Sequence, residues 1–432
     1  MLRTATGRRS DVRRGAVAVV MAISLIPLLG VMALVLDAGL MMSERRRTQA
    51  AADAAAWAAA CAHQEAIAAG QDPQSAALSA AYDYAAANGF QNAGGAVTVG
   101  PVTDQTSRFY NRTGCYQVTV VSRTPRLFSS IWSSEPIPVS ARSISYLKSS
   151  APPAIVALNA KDQYSLSVIG SARLIAEDDP NDPNDDREIQ VKSNHAKSST
   201  INNMGYVEGP ALRAGGGVEL INAQVSKLRS IRSGSDPSAI KDPQESLPRP
   251  TTSGLLTRQS PSGWNATNPY PIEPGVYPSG LKLNSGGMNY TLKPGTYYIQ
   301  NGDFEVSNGV RATGSDVLIY LDNGNINIQG GEGTNLSPPS SGTYAGISIF
   351  QRSDKNPVTG DYTPRTISIA NGTNNKINGV IYAPGATAAF AGGSNNKYGS
   401  QLIVNKLNLS NNAIVTIPKW SGTVSYTPYL AE

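Results

Sequence analysis

The feature that most constrains this chain is a run of 22 uncharged residues near its start, from Gly15 to Leu36. As a helix this run would be about 33 Å long, which matches the hydrocarbon core of a bilayer. The apolar region of a signal peptide is usually only about 7 to 15 residues long, and no small-residue cleavage site precedes Asp37. The run therefore predicts a signal-anchor helix over residues 15–42, which Pro27 would kink without preventing insertion.

The charges around this run predict its orientation. Five arginines precede it and three follow it, so the positive-inside rule places residues 1–14 in the cytoplasm and the body on the other side of the membrane. The whole chain has 36 basic and 31 acidic residues. After residue 47 the two kinds balance, which argues against a nucleic-acid partner because phosphate binding needs a concentrated basic face.

Two helices and a small sheet are predicted after the anchor. An alanine-rich stretch that ends at Gly70 favours a helix, and a second helix is predicted with Asp72 as its N-cap and Asn88 at its end. Residues 96–147 then alternate in polarity and are rich in Val, Ile, Thr and Tyr, as half-buried strands are. This order of elements predicts a pilin-like α+β stem over residues 43–148.

Few residues suggest chemistry. Cys61 and Cys115 both follow the anchor, so a disulfide between them is reasonable outside the cytoplasm, with two buried thiols as the alternative. The two histidines, His63 and His195, offer neither metal-ligand spacing nor a Ser-His-Asp arrangement. The acidic stretch at 178–188 lacks EF-hand spacing and is interpreted as a solvated loop. We therefore expect no catalytic residue, no metal site and no cofactor, and hence a protein that is not an enzyme.

The C-terminal half contains a repeat of 20 to 22 residues. "EPGVY" at 273–277 recurs as "KPGTY" at 293–297, and "TNNKINGVIY" from Thr373 recurs as "SNNKYGSQLIV" from Ser394. Between the repeats lie short alternating strands, "VLIYLD", "INIQ", "GISIF", "TISIA" and "LNLS". Strands separated by Gly and Asn at this period are typical of the coils of a parallel β-helix, and a β-sandwich is the alternative.

The predicted fold is therefore mixed. A single transmembrane helix continues into the α+β stem, and residues 149–420 form a mainly β domain, a right-handed parallel β-helix. Residues 236–274 contain eight prolines and little apolar periodicity, which indicates an excursion or linker. Residues 421–432 are expected to form a C-terminal tail.

The N-terminal region resembles a known family. Arg14-Gly15-Ala16-Val17-Ala18-Val19, the apolar run as far as Asp37, and "QAAADAAAWAAA" after it are similar to the N-terminal segment of TadE/TadG-like proteins of Tad (tight adherence, Flp-type) pilus assembly. TadE-type pseudopilins resemble prepilins that are cut after a Gly followed five residues later by Glu. Here Val20 takes the place of that Glu, so the resemblance implies an uncut, TadG-like anchor. "TYAGISIFQ" and "GVIYAPGATAAF" also look like the β-helical extracytoplasmic region of some TadG-like proteins.

This resemblance implies a structural or assembly component of a Tad pilus apparatus in the bacterial inner membrane. Its body would lie in the periplasm or at the cell surface, contact proteins of the pilus or secretion machinery, and take part in adhesion. Small residues in the anchor suit close helix packing, and the stem is a candidate for homo-oligomerisation. A membrane-tethered carbohydrate-binding or carbohydrate-active β-helix is the alternative. The residues assigned to the anchor are Gly15, Ala16, Val20, Pro27, Gly30, Leu36 and Asp37.

Overall fold

The chain divides into two compact units, one of Met1–Lys148 with Tyr426–Glu432 and one of Ser149–Ser425. The computed structural model describes residues 12–107, 109–110, 112–131, 133–149, 151–177, 187–263, 267–330, 333–372, 374–393, 396–420 and 426–431. Most of the predicted cytoplasmic tail, residues 1–11, lies outside the described residues, as does most of the acidic stretch, residues 178–186.

Two helices begin the first unit. The helix α1 spans Val12–Ala69, 58 residues with Pro27 inside it. Gly70 follows with a φ of 66°, a left-handed conformation that Gly adopts at helix ends. The helix α2 spans Pro73–Ala87, and the Asp72 carboxylate accepts hydrogen bonds from two backbone N–H groups of its first turn, which confirms the predicted N-cap. The predicted anchor and the alanine-rich stretch are thus one continuous helix.

A small sheet packs on these helices. Its first three strands, and the 3-10 helix η1 between the last two of them, are β1 (Val97–Gly100), β2 (Tyr116–Thr124), η1 (Ser129–Ile131) and β3 (Ile137–Ser149). Both strand pairs, β1 with β2 and β2 with β3, are antiparallel. Val118 and Val120 of β2 lie in one buried cluster with alanines of α1 and α2. The strands that the sequence predicts between residues 96 and 147 are confirmed.

The second unit consists of short strands and one 3-10 helix. In chain order they are β4 (Ile155–Ala157), β5 (Leu166–Ile169), β6 (Arg173–Ala176), β7 (Ile189–Val191), β8 (Ser199–Asn202), β9 (Tyr206–Glu208), β10 (Leu212–Ala214), β11 (Val218–Ile221), β12 (Ile231–Arg232), η2 (Pro237–Ala239), β13 (Tyr270–Ile272), β14 (Gly275–Tyr277), β15 (Leu281–Leu283), β16 (Asn289–Leu292), β17 (Gly295–Asn301), β18 (Phe304–Val306), β19 (Arg311–Gly314), β20 (Val317–Asn323), β21 (Ile326–Gln329), β22 (Asn335–Leu336), β23 (Ile347–Gln351), β24 (Arg365–Ala370), β25 (Lys376–Ile377), β26 (Val380–Ala391), β27 (Asn396–Tyr398), β28 (Gln401–Ser410) and β29 (Ile414–Ile417).

These strands pair in three parallel ladders. The first ladder runs β12-β10-β7-β4-β28-β26-β23-β20-β17-β14. The second runs β11-β8-β5-β28-β26-β24-β21-β18-β15, sharing the long strands β26 and β28 with the first. The third runs β9-β6-β29-β27-β25-β22-β19-β16-β13. Every strand pair described between β4 and β29 is parallel, which disfavours the predicted alternative of a sandwich built from hairpins.

The register of the ladders follows the sequence repeat. Phe304 of β18 pairs with Ile326 of β21, 22 residues further on, and Lys376 of β25 pairs with Lys397 of β27, 21 residues further on. Side chains from all three ladders then meet in one hydrophobic core. Each layer of the stack therefore takes about one sequence repeat, because its inward side chains must lie over those of the layer before.

Asparagine and glycine hold the corners between strands. Asn375 is fully buried, accepts a hydrogen bond from the N–H of Thr334 and donates its own N–H to the side chain of Asn396, both at 2.9 Å. Asn375 and Asn396 are equivalent positions of the "NNK" repeat, so the repeated asparagine bonds successive layers together. At another corner, a Cβ on Gly324 would lie only 1.8 Å from the carbonyl oxygen of Gly302.

The chain enters this stack in its middle. Strand β4 pairs with β7 on one side and with β28, near the end of the unit, on the other. The chain builds layers from β4 to one end of the stack at β12, restarts at the opposite end with β13 and β14, and builds back until β28 and β29 reach the first layer. The first and last layers are therefore neighbours, although the whole unit separates them in sequence.

Residues 236–258, which we call the strap, run between the two ends. They lie against the outer side of the first ladder, where Tyr298, Tyr320, Phe350 and Tyr382 contact one another in succession with ring centroids 4.9 to 5.1 Å apart. Three apolar residues of the strap pack on this outer cluster: Ile240, Leu247 and Leu255. The proline-rich segment thus covers an apolar face that would otherwise be open to solvent.

The end of the chain differs from the predicted tail at 421–432. Its last strand, β30 (Tyr426–Leu430), lies next to β3 in the sheet of the first unit. The N–H of Ala431 also donates a hydrogen bond to the carbonyl of Ile144, at 2.8 Å. The physical reason is that the edge of β3 presents unpaired backbone groups, which a returning strand satisfies.

Candidate membrane anchor and assembly helix

The first half of α1 exposes apolar side chains on every side. Within Val17–Ala69 lies a window long and apolar enough to cross a membrane, and none of that window is buried. The exposed large side chains follow one another around the whole helix: Val17, Val19, Val20, Met21, Ile23, Leu25, Ile26, Leu28, Leu29, Val31, Met32, Leu34, Val35 and Leu36. A helix that is apolar all round needs a nonpolar environment, as in a bilayer.

The predicted anchor residues lie in this region of α1. Gly15 and Ala16 are within the helix, but their surroundings lie outside what the structure describes. Val20 and Leu36 are exposed, and a Cβ added to Gly30 would meet no atom within 4 Å. The face that includes Gly30 is therefore open to lipid or to another helix, and the assignment of these residues to a membrane anchor stays a prediction.

Asp37 is the exception, because its carboxylate is only 7 % exposed. It accepts hydrogen bonds from the backbone N–H groups of Phe128, at 3.2 Å, and Ser129, at 2.7 Å. These groups belong to the loop between β2 and β3, at the start of η1. The sequence placed Asp37 at the end of the anchor, and nothing in its local pattern indicated that a residue 90 positions later would bind it.

A second carboxylate on the same face of α1 holds the same hairpin. Glu44 is seven residues, about two helical turns, after Asp37 and accepts a hydrogen bond from the Ser122 hydroxyl at 2.6 Å. The buried Thr48 continues this face one turn further. Carboxylates two turns apart therefore fix the β2–β3 hairpin along the helix, so that residues 125–130, the hairpin tip, lie beside the end of the apolar run.

Beyond Thr48 the same helix packs through alanine. The side chains of Ala51, Ala55 and Ala59 have no exposed surface, and neither do Ala77 and Ala81 of α2. Small side chains let the two helices and the sheet approach closely. The alanine-rich stretch is thus the core of the first unit, whereas the apolar run before it has no such cover among the described residues.

The cysteines and the histidine of the first unit are structural in their surroundings. Burial raises the pKa of the half-buried Cys61 thiol, and Cys115 is buried in a small cluster with Phe109. A disulfide between Cys61 and Cys115 stays a prediction. Burial lowers the pKa of His63 and raises the pKa of Tyr116 to about 12. The tyrosine hydroxyl therefore donates to the neutral His63 Nδ1, 2.6 Å away.

The carboxylates of the second unit mostly pair with basic side chains. Asp322 and Asp354 both bind Arg352, at 2.7 and 3.0 Å, and Asp361 binds Lys161 at 3.3 Å. A cleft of 330 Å³ beside Lys161 is lined by further lysines and carboxylates. Among the described residues, no three His, Cys, Asp or Glu side chains lie close enough to hold a metal ion. Whether the protein is an enzyme is left as a prediction.

Comparison with known proteins identifies the N-terminal segment. The model of the Flp pilus-assembly TadE/G-like family matches residues 15–62. Comparisons with curated proteins and with solved structures found no match. The matched segment contains both the exposed apolar run of α1 and the buried alanines after it. It also agrees with a single-pass membrane protein, since one helix of the described chain is apolar enough to span a bilayer. The chain therefore has, at residues 15–62, the N-terminal segment of a Flp pilus-assembly TadE/G-like protein.

Proposed function

We propose that this chain is a TadG-like, non-enzymatic component of a Tad (Flp) pilus apparatus, anchored by one helix in the bacterial inner membrane. Its N-terminus lies in the cytoplasm, and both units lie in the periplasm or at the cell surface. The observation that carries the proposal is the family match at residues 15–62. Those residues form part of one helix that is exposed and apolar in its first half and buried against its own domain in its second.

The first unit serves as the stem in this proposal. A long helix that leaves the membrane and packs against an antiparallel sheet is the arrangement expected of a pilin-like subunit. The anchor stays uncut at Gly15, because Val20 extends the apolar surface where a processed prepilin would have Glu. Trp57, 45 % exposed on the stem part of α1, offers an aromatic contact for a second copy or a pilus protein.

The second unit is, in this proposal, a right-handed parallel β-helix that serves for recognition. Three parallel ladders around one core, with layers at the sequence repeat, support that fold. Its long outer faces present repeated side chains to a partner, and the function proposed for them is mechanical, binding pilus or secretion-machinery proteins and supporting adhesion. The ion pairs of its carboxylates favour binding over the carbohydrate-active alternative, because general acid–base catalysis needs carboxyl groups free to meet a substrate.

Fractionation and topology mapping test the anchor. We expect the full-length chain to stay in the membrane pellet after carbonate extraction. A C-terminal tag should be degraded by protease added from the outside of spheroplasts, whereas an N-terminal tag should be protected. N-terminal sequencing should find the original start. A new N-terminus near residue 40 would remove the anchor, and one at Ala16 would make the chain a processed subunit.

Affinity purification tests the assignment to the pilus apparatus. Full-length chain solubilised from its own membranes should retain pilus-assembly proteins. The matched control is Trp57→Ala, which changes an exposed contact on the stem and leaves the buried alanines intact, so that reduced retention would locate the contact. Turnover of a glycan by the purified chain would contradict the non-enzymatic function.

A further inference from the structure

The tip of the β2–β3 hairpin exposes two large apolar side chains. Leu127 is 54 % exposed and Phe128 is 46 % exposed. Exposed apolar residues are common as single cases, but these two are adjacent at the end of a loop. The loop is also held in a defined place, because the N–H of Phe128 donates to the carboxylate of Asp37.

The place where the tip is held is the end of the apolar run of α1. Asp37 lies 22 residues after Gly15, about 33 Å along a helix, close to the thickness of a hydrocarbon core. The apolar surface does not stop there, because Leu40 and Met42 are also exposed. The exposed side chains of the hairpin tip are therefore continuous with the surface that a bilayer would cover.

Charged residues begin at the next level. Glu44 binds Ser122 about 10 Å further along the helix than Asp37. Near that level the exposed Arg45, Arg46 and Arg123 lie on the helix and on β2. Apolar side chains at the edge of the hydrocarbon with arginines on the side away from it are the arrangement that suits a phospholipid surface, whose phosphates bind arginine.

We propose that the hairpin tip, through Leu127 and Phe128, inserts into the lipid leaflet on the side of the folded units, and that Asp37 and Glu44 position it there. The inference rests on the proposed membrane crossing of α1. Burial of the Asp37 charge has a physical reason in this arrangement. At the edge of the hydrocarbon a carboxylate lacks water, and the two backbone N–H groups of the loop take its place as donors.

Photo-crosslinking of the full-length chain in phospholipid nanodiscs tests the contact. Benzoylphenylalanine is placed at Phe128, at Leu127 in a second variant, and at Tyr84 as the control. Tyr84 is 55 % exposed in α2 of the same unit and is not part of the hairpin tip. We expect phospholipid adducts by mass spectrometry at positions 127 and 128 and none at position 84.

The outcomes separate this inference from the proposal on which it rests. Carbonate-resistant protein without lipid adducts at 127 and 128 would overturn the insertion of the tip and leave the anchor intact. Adducts from these positions to a protein instead of lipid would also overturn it, and would identify a docking surface for a partner. Release of the chain by carbonate would remove the membrane crossing and the inference with it.

Discussion

The hold of the strap on the second unit can be tested by removing one carboxylate. Asp242 accepts hydrogen bonds from the hydroxyls of Tyr362, at 2.9 Å, and Tyr382, at 3.0 Å. Tyr382 is 5 % exposed and belongs to the aromatic row that the strap covers. Asp242→Ala therefore removes the acceptor of two tyrosine hydroxyls at the point where the strap begins to cross the first ladder.

The magnitude follows from the burial of these groups. A hydrogen bond to a charged group contributes about 1.5–3 kcal/mol, and a buried donor left without an acceptor costs about 1–3 kcal/mol. Asp242 itself is half-buried, and water can reach part of the site after the change. We therefore expect Asp242→Ala to destabilise the closed strap by about 2 kcal/mol, which makes its local opening about 30-fold more frequent.

Hydrogen–deuterium exchange of the full-length chain measures this opening. Amides of the strap should exchange about 30-fold faster in Asp242→Ala, while those of β18 and β21 in the core are unchanged. Asp361→Ala is the matched control, because its exposed ion pair with Lys161 is worth no more than about 1 kcal/mol. Exchange of the strap that rises less than about threefold in Asp242→Ala, or equally in both variants, would refute the reasoning.

Three further predictions concern the stack itself. Gly324→Ala should destabilise the second unit by about 3 kcal/mol, because the new Cβ would lie 1.8 Å from the Gly302 carbonyl oxygen. Asn375→Ala should cost about 1–3 kcal/mol, because the buried N–H of Thr334 loses its acceptor. Burial raises the pKa of Tyr277 to about 12. The stability from this tyrosine is fully present below its unfolded-state pKa near 10 and is lost as pH rises through about 12.

Denaturant unfolding followed by near-ultraviolet circular dichroism measures the first two changes. Gly286→Ala and Asn378→Ala are their controls, since a Cβ at Gly286 comes no nearer than 3.6 Å to a neighbouring atom and the Asn378 amide is exposed. Equal losses in a variant and its control would contradict the clash or the hydrogen bond. For Tyr277, absorbance at 295 nm should show ionisation of buried tyrosine together with unfolding. Ionisation near pH 10 with the fold intact would contradict the burial argument.

Much of the secondary structure could be predicted because its signals are local. The N-cap at Asp72 and the strands at 326–329 and 366–370 form where the sequence predicts them. Capping needs one side chain and the next turn, and a half-buried strand needs only alternating polarity. The repeat also predicted the layer spacing, because stacked coils must place equivalent asparagines such as Asn375 and Asn396 over one another.

The candidate site was predicted only in part. The apolar run indicated the anchor helix by length and composition alone, and the resemblance of the N-terminal segment is shown by the family match at 15–62. The partners of Asp37 could not be predicted, because a carboxylate that accepts bonds from backbone N–H groups leaves no trace in the side chains of the loop. The only sequence signal was a lone Asp inside an otherwise apolar stretch that extends to Met42.

By itself, the sequence determined the exposed apolar helix, the helix and strand segments after it, and the period of the stack. Each of these depends on residues within a few turns or one repeat of one another. The tertiary structure alone decided that the chain enters the stack at β4, in its middle, that the strap covers the aromatic row, and that β30 returns to the first unit. These arrangements join residues about 100 to 280 positions apart. They are selected by which edges and apolar faces can satisfy one another, and no local pattern encodes that match.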